Sequence, residues 1–94
     1  MVNAQKTDEG YIYFLYCHEL SIVKIGVTTN PKRRIRDIQG ALPFESKVIK
    51  MYFVKNPYDV ETQLHERYKD FYLKSEWLVL NLEQLQKLFD KIGG

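Results

Sequence analysis

The hydrophobic and polar positions of this 94-residue chain predict two strands near its start, joined by a short turn. Residues 11–17 are continuously apolar or aromatic, which is typical of a strand buried on much of both faces. Residues 21–27 alternate between an apolar side and a side that carries Lys24 and Gly26, as in a half-buried strand. Because the connection at 18–21 is short, we expect the two strands to form an antiparallel hairpin.

The next segment predicts a helix and then a third strand. Asn30 can cap a helix through its side chain, and Pro31 suits the first helical position, where its missing N–H costs nothing. We expect the helix to run to about Gln39 and to end at Gly40. Residues 47–54 are rich in strand-forming side chains and predict the third strand.

Two further helices are predicted from their starting residues and their apolar spacing. Asn56 and Pro57 repeat the cap-and-proline pattern of the first helix. Asn81 and Gln84 resemble a capping box, placed after a short extended segment at 76–80. The positions expected to pack inward are Val60, Leu64, Tyr68 and Phe71 in the second helix, Trp77 in the extended segment, and Leu82, Leu85, Leu88, Phe89 and Ile92 in the last helix.

These elements predict a single α+β domain. The order is β-β-α-β-α, followed by the extended segment and a helix, so we expect a small three-stranded antiparallel sheet flanked by helices. A chain of this length is too short for two cores, and we assign residues 10–92 to one domain. Residues 1–9 are polar and patternless, which predicts a flexible N-terminal tail.

Composition narrows the class of protein without naming a function. Hydrophobic residues make up 45% of the chain, enough for a compact core, and the net charge of +2 does not by itself indicate a nucleic-acid binder. The single cysteine, Cys17, excludes an internal disulfide and a multi-cysteine metal site. The chain shows neither a signal-like start nor an apolar run that could span a membrane, so we expect an intracellular protein. Separately, we expect no organic cofactor.

Polar side chains on the first two strands and the first helix form a candidate site. Tyr11 and Tyr13 share one face of their strand, and Lys24 and Gly26 share one face of the next. In a hairpin these faces can coincide, and Arg34 lies in the first turns of the following helix. Its neighbours Lys32, Arg33 and Arg36 form a basic cluster that can attract phosphate, although such a cluster is equally typical of a solvated helix face.

The same residues resemble the GIY-YIG nuclease superfamily, which is named for two short strand motifs. The first motif corresponds to Tyr11-Ile12-Tyr13 after Gly10, and the second to Lys24-Ile25-Gly26. Glu61, with Leu64-His65 and then Glu76-Trp77, is similar to the T5orf172-like or Mug113-like branch of phage, viral and bacterial proteins. The resemblance spans about residues 10–80.

This resemblance implies an endonuclease that hydrolyses DNA with one divalent ion, Mg²⁺ or Mn²⁺. Tyr13 corresponds to the tyrosine that positions or deprotonates the attacking water, and Gly26 to the glycine that keeps the strand open beside the substrate. Arg34 corresponds to the arginine that contacts the scissile phosphate, and Glu61 to the metal-binding glutamate. Lys24 stands where the second motif has tyrosine, as is common in this branch.

Several assignments remain open at this stage. His65 could join Glu61 as a metal ligand, line a nucleic-acid groove, or be purely structural. The family's histidine or tyrosine one turn after the arginine is Ile38 here, and the late asparagine has no clear match. The alternatives to a nuclease are a non-catalytic nucleic-acid-binding module of the same fold and a protein-interaction domain. The sequence also leaves room for a homodimer or a protein partner that supplies specificity.

Overall fold

A computed structural model describes residues 9–74 and 77–93 of the chain, and the α+β architecture predicted from the sequence is confirmed. Residues 1–8 of the tail predicted at 1–9, and Glu76 of the Glu76-Trp77 motif, lie outside the described residues, whereas Glu9 is the first residue of β1. The elements, in chain order, are β1 (Glu9–Cys17), β2 (Ile22–Thr28), α1 (Pro31–Ala41), β3 (Lys47–Lys55), α2 (Pro57–Arg67), a 3₁₀ turn (Lys69–Phe71), β4 (Tyr72–Lys74), β5 (Trp77–Val79) and α3 (Leu82–Gly93).

The described strands form one antiparallel sheet in the order β3-β1-β2-β5-β4. The predicted three-stranded sheet is therefore present as β3-β1-β2, and the extended segment extends it as β5. The hairpin register places Tyr13 opposite Gly26 and Leu15 opposite Lys24. Because directly opposed residues share a face, the two candidate strands present their polar side chains to the same side, as the alternation predicted.

The sheet has two unlike faces. The core face carries apolar side chains, Ile12 and Phe14 from β1 and Val23 and Ile25 from β2, all fully buried or nearly so. Apolar side chains of α2 and α3 close this face, and the Phe14 and Phe89 rings meet edge to face at 5.0 Å between centroids. The members of this core are Ile12, Phe14, Val23, Ile25, Leu64, Leu78, Leu80, Leu85, Leu88 and Phe89.

The site face lies on the other side of the same strands and carries Tyr11, Tyr13, Lys24 and Gly26. Helix α1 lies near this face, where Pro31 and Ile35 line a depression together with Met51 of β3, which is the residue opposite Tyr13. None of the α1 side chains is fully buried. Helix α1 therefore lies over the site face without sealing it.

Local signals placed all three helix starts correctly, but the side-chain cap predicted at the second start is absent. The Asn30 side chain accepts the Arg33 N–H at 3.3 Å, and Asn81 and Gln84 exchange hydrogen bonds of 2.8 and 2.9 Å in a capping box. Asn56 makes no side-chain cap: it is in the left-handed conformation at φ 54°, which asparagine tolerates. Helix α1 also continues through Gly40 to Ala41 before it ends.

Several predicted core positions are more exposed than the spacing indicated. Leu82 is 72% exposed because it is the first residue of α3, before that helix reaches the core. Phe71 is partly exposed because α2 has already given way to the 3₁₀ turn. Trp77 is half-buried on the site face, where it is opposite Lys24 and contacts Phe44. Cys17, the last residue of β1, is completely buried.

Candidate active site

A cleft of about 430 Å³ opens where β1, β2, α1 and α2 meet. Four chemically distinct groups face it together: a phenol, an ammonium, a guanidinium and a carboxylate, supplied by Tyr13, Lys24, Arg34 and Glu61. The described residues that line it are Tyr13, Lys24, Gly26, Val27, Thr28, Thr29, Arg34, Tyr58 and Glu61. Residues far apart in sequence thus converge on one small volume.

Gly26 is required by the position of the Tyr13 ring. The two residues are opposite each other in the β1–β2 pair, and any Cβ added at Gly26 would collide with the end of the Tyr13 phenol. The resemblance implied a glycine that leaves the strand open beside the substrate. In this chain the space above Gly26 is occupied by Tyr13 itself, so the glycine fixes the place of the phenol in the cleft.

Arg34 and Glu61 both affect the pKa of the Tyr13 hydroxyl. Burial raises the pKa of Tyr13, whereas a hydrogen bond from Arg34 and its positive charge oppose the rise, and the Glu61 charge adds to it. Burial is the strongest of these causes, so the pKa of Tyr13 remains above its ordinary value. The phenol consequently keeps its proton at neutral pH.

Lys24 is a lysine held among apolar side chains. It is only 8% exposed, because its neighbours across the sheet are Leu15 on β1 and Trp77 on β5. Desolvation lowers the pKa of Lys24, the Arg34 charge lowers it further, and the Glu61 carboxylate partly restores it. A strand lysine of the ordinary kind would extend into solvent, so this burial sets Lys24 apart as a site group.

Glu61 reaches the cleft from α2. One turn later His65 places Nε2 at 3.9 Å from Glu61 Oε2. The ring of His65 meets the Tyr72 ring edge to face at 5.3 Å, and both His65 Nε2 and the Tyr72 hydroxyl are buried without a hydrogen-bond partner among the described residues. His65 therefore stands behind Glu61, and it is not among the residues that line the cleft.

The other residues predicted for the site lie around the cleft. Tyr11 is on the site face, where its ring packs against Phe53 of β3 at 5.0 Å between centroids. Lys32 and Arg36 line the depression beside Met51, on the other side of α1. Arg33 is exposed, and its backbone N–H donates to the Asn30 side chain that caps α1.

Four residues of the cleft, Val27, Thr28, Thr29 and Tyr58, were not predicted from the sequence. Tyr58 lies one helical turn before Glu61, and the i, i+3 spacing would have placed it on the same side of α2. Thr28 and Thr29 follow Gly26 in the loop that leads to α1, a position at the end of a strand where loop residues commonly contact ligands.

Comparison with known families agrees with this geometry. The profile of the T5orf172 domain matches residues 10–93, which is most of the chain and includes every residue of the cleft. The chain belongs to the T5orf172 domain family. This family is a member of the GIY-YIG superfamily, so the resemblance drawn from the strand motifs is confirmed. Among curated proteins and solved structures, no significant match was found.

The cleft fits the single-ion site that T5orf172 family membership suggests. Mg²⁺ keeps much of its hydration shell and needs only one or two protein carboxylates, and Glu61 supplies one carboxylate beside open space. Among the described residues no cluster of three or more histidine, cysteine, aspartate or glutamate side chains offers an alternative site.

The helices that the structure describes are all too short or too polar to span a membrane.

Proposed function

We propose that this T5orf172 domain is an endonuclease that hydrolyses DNA phosphodiester bonds with one divalent ion, Mg²⁺ or Mn²⁺, held by Glu61. The observation that carries the proposal is the convergence of Tyr13, Lys24, Arg34 and Glu61 on one cleft. The convergence involves two strands and two helices, and packing of the core face does not require it.

Arg34 is the group proposed to bind the scissile phosphate. Its guanidinium is a planar fork of donors that matches two phosphoryl oxygens and becomes more favourable as they gain charge in the transition state. In the described part of the chain, no carboxylate forms an ion pair with the four cations of α1 (Lys32, Arg33, Arg34 and Arg36). Cations at a helix N-terminus oppose the helix dipole, so a phosphate ligand would also relieve this local repulsion.

Tyr13 is proposed to orient the attacking water. Because burial raises the pKa of Tyr13, its hydroxyl remains protonated and can accept one hydrogen bond while donating another. This favours positioning of the water over removal of its proton by a phenolate. Lys24, with its lowered pKa, lies in the same cleft and is proposed to hold a phosphoryl oxygen or to exchange a proton during the reaction.

A divalent ion at Glu61 would neutralise charge on the phosphoryl group and stabilise the departing oxygen. His65 lies behind Glu61, so its proposed contribution is to the orientation of the carboxylate, in place of the nucleic-acid contact considered from sequence. Lys32, Arg33 and Arg36 are proposed to attract the negatively charged DNA backbone, over a longer range than the Arg34 contact.

The decisive experiment is cleavage of supercoiled plasmid in Mg²⁺ or Mn²⁺ by the wild type and by matched variants. Glu61→Gln and Arg34→Ala should each reduce the rate by roughly 10²-fold or more. The controls are Glu66→Gln and Arg67→Ala, which alter exposed charges of the same helix α2 outside the cleft and should leave the rate within about twofold. Circular dichroism and thermal unfolding establish that each variant is folded.

A non-catalytic binding module is the second candidate, because the cations of α1, which have no carboxylate partner in the part of the chain that the structure describes, would bind DNA whether or not cleavage follows. It predicts salt-dependent DNA binding by the wild type with no cleavage under any divalent ion. Cleavage that survives Glu61→Gln would overturn the catalytic assignment, and binding without cleavage would establish the module.

A further inference from the structure

We propose that exposed aromatic side chains beside the cleft form a platform for unpaired DNA bases, so that the substrate enters as a single strand or as a locally unpaired duplex. The aromatic platform consists of Phe53, Tyr11 and Tyr58. The inference deepens the proposed function and rests on it for the identity of the substrate, but the binding it predicts does not depend on cleavage.

The position of Phe53 is fixed by strand register. Phe53 is opposite Tyr11 on β3, and Tyr11 is in turn opposite Thr28 on β2, so the three residues form a row across the site face. The next row along the same strands is Met51, Tyr13 and Gly26. Residues two apart on a strand are about 7 Å apart, which places the Phe53 row roughly one nucleotide from the Tyr13 phenol.

Tyr58 reaches the same neighbourhood from α2. The Pro57 ring lies against the edge formed by Gly10 and the Thr28 carbonyl, which fixes the start of α2 at that end of the sheet. Tyr58 follows directly and lines the cleft together with Thr28. Aromatic rings therefore flank the phosphate-binding cleft both along β3 and at the start of α2.

Exposure distinguishes these rings from the aromatic residues of the core. Phe53 is 58% exposed and Tyr58 is 59% exposed, whereas Phe14 on the core face is completely buried. The Tyr11 and Phe53 rings pack together at an interplanar angle of 60°, so the Phe53 ring is supported from one side while much of its surface faces solvent. Supported, exposed rings are suited to base stacking, because little side-chain freedom is lost on binding.

Charge beside the platform favours a nucleic acid over a protein as its occupant. Lys32 and Arg36 line the depression that contains Met51, the residue two positions before Phe53 on the same face. Aromatic rings interleaved with cations are the arrangement that binds single strands without sequence preference. The edge strand β3 also carries Lys47, Lys50 and Lys55, and lysine on an edge discourages pairing with a second strand.

The test compares ligands that share phosphates but differ in their bases. The probes are fluorescent oligonucleotides of about twelve nucleotides: oligo(dT), an abasic strand of the same length, and a duplex of that length. Anisotropy is measured with the Glu61→Gln protein in metal-free buffer, so that cleavage plays no part. We expect oligo(dT) to bind about 10-fold more tightly than the abasic strand and more tightly than the duplex.

Variants assign the difference to the platform. On the Glu61→Gln background, Phe53→Ala and Tyr58→Ala should each weaken oligo(dT) binding by about 10-fold and leave abasic binding unchanged. Phe53→Tyr should retain the affinity, whereas Phe53→Leu, which keeps apolar area without a ring, should lose it. Leu82→Ala removes an even more exposed apolar side chain, on α3, and should change nothing.

Several outcomes would overturn the proposal. Equal affinity for oligo(dT) and the abasic strand, equal losses for both ligands in Phe53→Ala, or tighter binding of the duplex would each exclude base stacking. A change of oligomeric state in Phe53→Ala, measured by sedimentation, with unchanged oligo(dT) affinity would assign the surface to protein contact. Base-dependent binding by a wild type that never cleaves DNA would retain the platform and reject the nuclease.

Discussion

The two faces of the sheet are built from the same strands but are covered in different ways. Side chains of α2 and α3 close the core face, whereas α1 buries none of its residues completely and leaves the site face open at the cleft. Side-chain alternation along a strand therefore decides which of the two faces each residue contributes to. The comparison teaches that Ile12 and Tyr13, adjacent in sequence and both buried, should respond very differently to substitution.

The largest effect is expected on the core face. Phe14 is fully buried and touches the Phe89 and Tyr52 rings, so Phe14→Ala should lower the free energy of unfolding by about 3–5 kcal/mol. Phe53→Ala on the site face removes the same atoms from an exposed position and should cost less than about 0.5 kcal/mol. Urea denaturation of both variants tests the contrast. Similar losses of unfolding free energy would show that side chains on the site face also stabilise the fold.

Gly26→Ala reverses the contrast, because it should harm the site more than the fold. The new Cβ would collide with the end of the Tyr13 side chain, which can swing away at a cost of about 1 kcal/mol but then leaves the cleft. We expect the cleavage rate to fall about as far as it does in Tyr13→Ala, with the protein still folded.

The control for this variant is Gly40→Ala in α1. No neighbour lies within 4 Å of the added Cβ, so this substitution should stabilise the helix by about 0.5–1 kcal/mol and leave cleavage unchanged. If the double variant Gly26→Ala/Tyr13→Ala shows that the two effects simply add, the proposed contact between these residues is wrong.

The helix caps offer a smaller test of the same comparison. Asn81→Ala removes the capping box of α3, whose Leu85 and Leu88 are in the core, and should cost about 1 kcal/mol of global stability. Asn30→Ala removes the cap of α1, which buries no residue completely, so fraying should remain local. Urea denaturation should detect the global loss in Asn81→Ala, and hydrogen exchange of the α1 amides should detect the local fraying in Asn30→Ala. Equal losses of global stability in the two variants would contradict this prediction.

How much of this structure the sequence could predict depended on whether the signal was local. Alternation and a short turn determine the hairpin, so the shared face of Tyr13, Lys24 and Gly26 followed from the sequence. The caps at Asn30 and Asn81 were also correct, since their hydrogen bonds join residues three apart. Asn56 carried the same local signal, but the chain turns there into a left-handed conformation that no spacing rule specifies.

The remaining features depend on contacts between distant elements. The burial of Lys24 requires Trp77 from β5, and the closeness of Glu61 to the cleft requires the placement of α2 beside β2. Neither is encoded by a period along one segment. Family resemblance supplied Glu61 as a candidate, whereas Tyr58 and the unusual environment of Lys24 emerged only from the assembled sheet.

The smallest predicted effect concerns an exception to the apolar core face. Tyr72 is opposite Leu78 on that face, yet within the described ranges 9–74 and 77–93 its buried hydroxyl has no hydrogen-bond partner. Tyr72→Phe removes this unsatisfied group and should raise the free energy of unfolding at neutral pH by up to about 1 kcal/mol. The matched control is Tyr58→Phe, which alters an exposed hydroxyl and should have no effect on stability.

The same substitution has a pH signature of known sign. Burial, with a smaller contribution from the Glu61 charge, raises the pKa of Tyr72 from its ordinary value of 10.0 to about 12. The unfolded chain therefore loses the phenolic proton first, and the stability associated with the protonated folded form is lost as pH rises from 10 towards 12. Denaturation in metal-free buffer should show that wild-type stability falls more steeply over this range than that of Tyr72→Phe. Parallel curves would mean that the Tyr72 hydroxyl is solvated and is not a buried polar group of the core face.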